Sequence, residues 1–161
     1  MNGCEQSRHT RSRSRTCCTS PAGFASNTAG IDSLISVPRS PTSSSLLASA
    51  LAEQGIGLGD TVAVIAPNGP AMFEAHFGVP MCGAVLNAIN TRLDAEAITF
   101  ILQHGEAKVL LVDKEFGEMV QRAIGHLPNP PLVIGIDDPE YTDGKLIGQY
   151  DYETLLAQGD V

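Results

Sequence analysis

The 161-residue chain carries ten Lys and Arg against eighteen Asp and Glu, a formal charge of −8, which argues against nucleic acid as a partner. It has no run of about 18 apolar residues, so no membrane span is predicted. Its length favours one domain, and with no Trp and 5% aromatics a core has to be built from Leu, Ile, Val, Ala and Met.

The charge is unevenly placed. Residues 1–45 hold five Arg and two acidic residues, a balance of +3, while residues 46–161 hold five basic and sixteen acidic residues, a balance of −11. The cysteines divide the same way, with Cys4, Cys17 and Cys18 early and Cys82 alone later. No C-x-x-C pair exists, and adjacent Cys17 and Cys18 are poorly placed to bridge each other, so neither a disulfide framework nor a zinc site is expected. The stretch "RHTRSRSRTCCTSPAGFASNT" shows no apolar period of 2 or 3.6 and cannot bury enough surface to offset chain entropy. Residues 1–45 are therefore expected to be a disordered Ser/Arg-rich arm. Three readings of it stand: an organelle transit peptide, an RNA-binding arm, or upstream sequence translated from a wrong start or frame.

Regular patterning begins at Ser45–Leu46. "SSSLLASALAEQGIGLGD" offers serines as caps, puts Leu46, Leu47, Ala50 and Leu51 on one helical face, and stops the helix at Gly55. The glycines Gly55, Gly57 and Gly59 imitate a dinucleotide loop, but they follow a helix and precede a strand, the reverse of the required order. They read as a cap and a turn. "TVAVIA" (Thr61–Ala66) is a short apolar run suited to a strand covered on both faces. "PNGP" breaks it, and a helix follows from Pro70, with Pro80 predicted to kink it or end it early.

A second strand is predicted over Ala84–Ile89, then a polar turn, Asn90–Leu93, and a helix with Asp94 as its cap. In that helix Ile98, Ile101 and Leu102 face inward and Gly105 closes the end. "KVLLVD" (Lys108–Asp113) is a third strand, and the helix after it carries Phe116, Met119, Val120 and Ile124 on one face. "PLVIGID" (Pro131–Asp137) is a fourth, followed by a polar loop and a short helix near Tyr152–Gln158. Four alternations with connections too long for hairpins predict an α/β fold of βαβ units, its mainly parallel sheet covered by helices. Ligands gather at the carboxyl ends of such strands, which places Pro67–Asn68–Gly69, Asn90–Thr91–Arg92 and Asp113–Lys114 at the edge of interest.

The inventory of reactive groups is thin. His9, His76, His104 and His126 are scattered, and "EAH" at Glu74–His76 lacks the second ligand of a helical zinc motif, so His76 is read as a packing residue. Cys82 is read as a small apolar filler. Asp137, Asp138, Glu140 and Asp143 miss the spacing of a calcium loop and are read as solvated. Asn90 and Arg92 either finish the turn by hydrogen-bonding backbone groups or contact an anionic ligand, and the first role is favoured in the absence of a Gly-rich phosphate loop. No nucleophile–base pair emerges, and no catalytic, cofactor-binding or metal-binding residue is assigned.

The segment "LASALAEQGIGLGDTVAVIAPNGPAMFEAHFGVPMCGAVLNAINTRLDAEAITFILQHGEAKVLLVD" resembles the start of an AMP-forming acyl-CoA synthetase of the adenylating superfamily, and the likeness runs on through "YDYETLLAQGD". "HFGVPMCGAVLNAINTRLD" is most similar to the branch acting on short- and medium-chain fatty acids. The resemblance implies that residues 46–161 are the N-terminal α/β subdomain of such an enzyme. It implies a two-step reaction in full-length relatives: ATP and Mg²⁺ turn a carboxylate into an acyl-adenylate, and CoA then displaces AMP. The family's P-K-G phosphate loop, ribose-binding Asp and C-terminal catalytic Lys have no counterpart in the sequence, and "SVPRSPTSSS" departs from the family's opening. The expectation is a cytoplasmic N-terminal fragment, inactive alone, whose partner is the missing adenylation core or another chain. Two alternatives are a non-catalytic module docking on a separate core and a stand-alone small-ligand-binding α/β protein.

Overall fold

The computed structural model describes residues 41–160, so the expectation of a disordered arm falls, up to residue 40, outside the described residues. Helix α1 (Pro41–Glu53) opens before the serines read as its cap. It ends where Gly55 takes φ +81°, a left-handed conformation that a side chain would resist. Here the Gly55 N–H bonds the Ala52 carbonyl and the Ile56 N–H bonds that of Leu51. The three-glycine run is thus a helix cap and a turn.

Four strands follow the apolar runs closely: β1 (Thr61–Ile65), β2 (Val85–Ala88), β3 (Ala107–Asp113) and β4 (Leu132–Ile136). A two-residue strand, β5 (Tyr150–Asp151), lies where a polar loop was expected. All pairings are parallel, in the order β2-β1-β3-β4-β5. Where β1 meets β3, the register steps from Thr61↔Ala107 to Val62↔Val109, a bulge that leaves Lys108 without a counterpart in the ladder. The Lys108 ammonium reaches Asp60 instead, at 2.6 Å.

The helices are α2 (Pro70–Met81), α3 (Ala95–His104), α4 (Gly117–Ile124) and α5 (Tyr152–Leu156), with a short 3₁₀ turn over Lys114–Phe116. Strand residues divide by parity into two cores. Val62, Val64, Val109, Leu111, Ile134 and Ile136 pack under α1, α2 and α5, while Ala63, Ile65, Leu110, Val112 and Val133 pack under α3 and α4. Burial on both faces explains why these runs lack alternation. The connection β1–α2–β2 runs one way along the sheet, and β2–α3–β3 returns past β1 on the other face. Right-handed crossovers require that change of face.

Two local expectations are modified. Pro80 does not break α2 before Met81, because it stands in the last turn, where its missing N–H removes one bond from a ladder already ending. Gly105 does cap α3 but stays right-handed at φ −80°, and Glu106 takes the positive angle, φ 48°. Gly105 is small for a different reason: a Cβ there would sit 3.0 Å from the Ile101 carbonyl and 3.2 Å from Asn87 Nδ2.

Candidate functional site

The reversal of connection between β1 and β3 makes the carboxyl edge of the sheet the place to look for a site. Three turns converge there. After β1, the Gly69 N–H folds back on the Pro67 carbonyl at 2.8 Å, and Pro70 then opens α2 at its first position. After β2, Ile89 donates to the Val64 carbonyl and the chain enters the asparagine turn. The Arg92 N–H donates to Asn90 Oδ1 at 3.0 Å, and the Leu93 N–H reaches the Asn90 carbonyl. Asp94 then caps α3, accepting from the Ala97 N–H at 2.9 Å.

The turn-finishing role of Asn90 is therefore present in full. Arg92 contributes to the turn through its backbone N–H, while the residue itself is exposed. Between the first two turns lies an open hollow of about 470 Å³, lined by Asn68, Met72, His76, Asn90 and Thr91 among others. His76 is exposed at its rim, with Nδ1 2.7 Å from the Met72 carbonyl one turn back, a bond in which the ring N–H donates. The polar lining consists of neutral amides, a hydroxyl and one imidazole. Such groups can hold a small polar molecule, but they include no nucleophile poised against a base.

The third turn follows β3. Asp113 is 2% exposed and accepts from the Glu115 N–H at 2.9 Å, starting the 3₁₀ turn. Burial raises its pKa above the ordinary carboxylate value, only partly offset by that N–H, and the nearby Asp138 carboxylate pushes the same way. Lys114 reaches across to the Asp137 carboxylate at the end of β4. The Asp138 side chain accepts from the Glu140 N–H at 2.9 Å, so this acid belongs to a turn. Among the described residues, no three His, Cys, Asp or Glu side chains converge so as to hold a metal ion. Cys82 is a free thiol, donating to the Val79 carbonyl at 3.1 Å.

At the opposite edge, a wider hollow of about 740 Å³ opens between Gln54, Lys108 and the Pro128–Pro131 segment. Close to it, Asp60 is held below the ordinary carboxylate value, first by the Lys108 ammonium and then by the Gly57 N–H.

One buried polar pair had no place in the sequence-level inventory. Tyr152 Oη donates to Glu74 Oε2 at 2.7 Å, with the two residues 1% and 2% exposed. Its signal was the position of Glu74 on α2, at the same spacing as Ala71, Ala75 and Gly78 on the inward stripe. A carboxylate there demands an interior donor. The bond clamps α5 to α2 across 78 residues and leads to no reaction.

Fold and edge together define a three-layer, all-parallel α/β unit. The family model for AMP-binding enzymes matches residues 42–154. The chain is 48% identical over 126 residues to a peroxisomal acetate/butyrate–CoA ligase of Arabidopsis thaliana, a match covering 71% of this chain and 22% of the relative. It is 46% identical over 126 residues to an acetate–CoA ligase of Humulus lupulus, covering 70% and 22% respectively. A solved anthranilate CoA ligase, in complex with anthranoyl-AMP, shares the fold at a TM-score of 0.64 and 22% identity, over 73% of this chain and 22% of that one. A benzoate CoA ligase from Burkholderia xenovorans does so at a TM-score of 0.62 and 19% identity, over 73% and 22%.

The chain belongs to the AMP-binding enzyme family, as an N-terminal piece of the acyl-CoA synthetase type. It spans about a fifth of the length of the curated relatives it matches. No described helix is long and apolar enough to cross a membrane.

Proposed function

We propose that this unit is the scaffold layer of an AMP-forming ligase that joins a short-chain carboxylic acid such as acetate or butyrate to CoA. The observation that carries the reading is the 48% identity to an acetate/butyrate–CoA ligase, held over 126 residues. In such a protein ATP, with Mg²⁺, supplies the adenylate that CoA resolves into a thioester. The residues described here hold none of these groups in the reading. The turn after β1 is Pro67–Asn68–Gly69, with no glycine-rich cradle for a triphosphate, and the carboxylates nearby are turn caps or ion-paired. The work of this unit is to present α2, β2 and the carboxyl-edge turns in fixed register to the rest of the enzyme.

A reducing compartment suits the free Cys82, and we place the protein in the cytoplasm. Three of the Arabidopsis relatives carry the word peroxisomal in their names, so imaging of a fluorescent fusion decides between the two compartments.

The functional test has two arms. The purified 161-residue chain, given ATP, Mg²⁺ and acetate or butyrate, is expected to show no acid-dependent pyrophosphate exchange; robust exchange would overturn the scaffold assignment. Substituted for the matching stretch of the Arabidopsis ligase, the chain is expected to preserve exchange with acetate and butyrate. A folded chimera that has lost both acids would sink the substrate assignment.

A further inference from the structure

Four asparagines lie among the described residues, and the fold leaves one of them exposed to its own backbone. Asn87 stands in β2, in register with Ala63, and Ala88 follows it. Asn90 keeps its Oδ1 on the Arg92 N–H at 3.0 Å and precedes a β-branched threonine. Asn129 precedes Pro130, whose nitrogen carries no proton. Asn68 is exposed in the bend between β1 and α2, and its side chain makes no hydrogen bond among the described residues.

Gly69 follows Asn68, and nothing in its own conformation demands a glycine. Its φ of −121° and ψ of −176° are extended values open to any residue. A Cβ there would meet only the Pro67 carbonyl, at 4.0 Å. What the glycine supplies is a backbone nitrogen with no side chain beside it.

We infer that Asn68–Gly69 is a site of spontaneous deamidation, which places a new carboxylate at the carboxyl edge of the sheet. The Gly69 nitrogen gives its proton to hydroxide and bonds to Asn68 Cγ. The Cγ–Nδ2 bond breaks, and the nitrogen leaves as ammonia with a proton from water. Water then opens the five-membered imide at either carbonyl. Breaking the new bond to Cγ yields aspartate, and breaking the original peptide bond yields isoaspartate, whose backbone is longer by one carbon. The sum is one water consumed and one ammonia released, with no change of oxidation state. The Gly69 N–H is held by the Pro67 carbonyl at 2.8 Å, a tight turn across one residue that has to open before the ring closes. The fold therefore sets the pace.

The product has a place ready for it. Gly69 caps α2 without a side chain, and the first turn holds no acid, so a carboxylate one residue earlier meets unpaired N–H groups at the positive end of the helix. Asn68 also lines the hollow of about 470 Å³ beside His76, Asn90 and Thr91. From Thr61 to Thr91 there is no Lys, Arg or Asp, and the single Glu, Glu74, is 2% exposed. A carboxylate at residue 68, ionised at neutral pH, thus turns a neutral hollow into an anionic one.

The test holds the full 161-residue chain at physiological temperature, at neutral and at mildly alkaline pH, in buffer and in guanidinium chloride. Trypsin releases residues 40–92 as one peptide carrying three of the four asparagines, and fragmentation locates any exchange of NH for O. Asn68 is expected to convert ahead of the other three, faster at the higher pH, and faster again in guanidinium, where the bond to Pro67 is gone. Gly69→Ala should slow conversion at least about tenfold with an unchanged circular dichroism spectrum, because the methyl group fits the fold but crowds the nitrogen. If that variant does not fold, the order of conversion in the unmutated chain decides alone.

A native chain whose Asn68 stays intact while the denatured sample converts would overturn the inference. So would earlier conversion of another described asparagine, or a folded Gly69→Ala chain that converts as fast as the parent. Asn68→Asp, the product with an unaltered backbone, should melt no lower than the parent; a lower melting temperature would overturn the placement of the charge at α2.

Discussion

Replacing Tyr152 with Phe isolates the contribution of the interior clamp. The ring stays where it is, packed in the core beneath α1 and α2, so the apolar area removed from water is nearly unchanged. What disappears is the 2.7 Å bond from the phenol to Glu74 Oε2, between residues 1% and 2% exposed. Such a bond is worth about 1 to 3 kcal/mol, the upper end applying when one partner is charged and dry. With a urea m-value of about 1.5 kcal/mol/M, the unfolding midpoint should fall by roughly 0.7 to 2 M at an unchanged slope. Tyr150→Phe is the matched control: Tyr150 is two residues away and 37% exposed, and it should stay within about 0.5 kcal/mol of the parent. Glu74→Leu completes a double-mutant cycle, in which the combined variant should lose less than the sum of the singles by about 1 kcal/mol or more. A Tyr152→Phe loss below about 0.5 kcal/mol, or strictly additive variants, would refute the view that this bond fastens the last helix.

Glu106→Gly should raise stability by about 0.5 to 1 kcal/mol, seen as a higher melting temperature, because Glu106 sits at φ 48°, where a Cβ is disfavoured; an unchanged or lower value would contradict this. Gly78→Ala should cost roughly 1 to 2 kcal/mol net in urea unfolding despite better helix propensity, since its Cβ would lie 2.8 Å from the Ser44 carbonyl and 2.9 Å from Leu47 Cδ2. Asp113 has a raised folded-state pKa, so as pH rises from the ordinary carboxylate value through the raised one, the unfolded chain releases its proton first and the wild type loses stability. Asp113→Asn keeps an acceptor for the Glu115 N–H and removes that dependence. Its stability advantage over the parent should therefore grow with pH across this window and then level off; a difference that is flat, or that shrinks, would count against the sign.

The fold was largely legible because its determinants are local. A strand buried on both faces has to be apolar at consecutive positions, and Val62–Ile65 and Val109–Val112 are, with exposures of 0 to 1%. Asn90 and Asp94 announced a turn and a cap through side chains that reach only two or three residues ahead. What stayed hidden depends on distance in the chain. The Glu74–Tyr152 bond joins positions 78 apart, and β5 exists only because Tyr150 and Asp151 find Ile134 and Gly135 beside them. Strand order is equally non-local: nothing within "TVAVI" reveals that its neighbours are β2 and β3. For the candidate site, Asn90 was read correctly, whereas the guanidinium of Arg92 proved to be surface and the burial of Asp113 could not be foreseen from its neighbours in sequence.

The order β2-β1-β3-β4-β5 also fixes a timetable for synthesis. The first βαβ unit to leave the ribosome, β1–α2–β2, holds only one flank of its central strand, and the other flank waits for β3, paired through Thr61↔Ala107. Leu47, Ala75 and Glu74 are sealed only when Tyr152 and Leu155 arrive at the far end. A nascent chain of this topology therefore keeps an apolar layer open to water until Tyr152 and Leu155 have been made, the stage at which chaperones engage and aggregation competes.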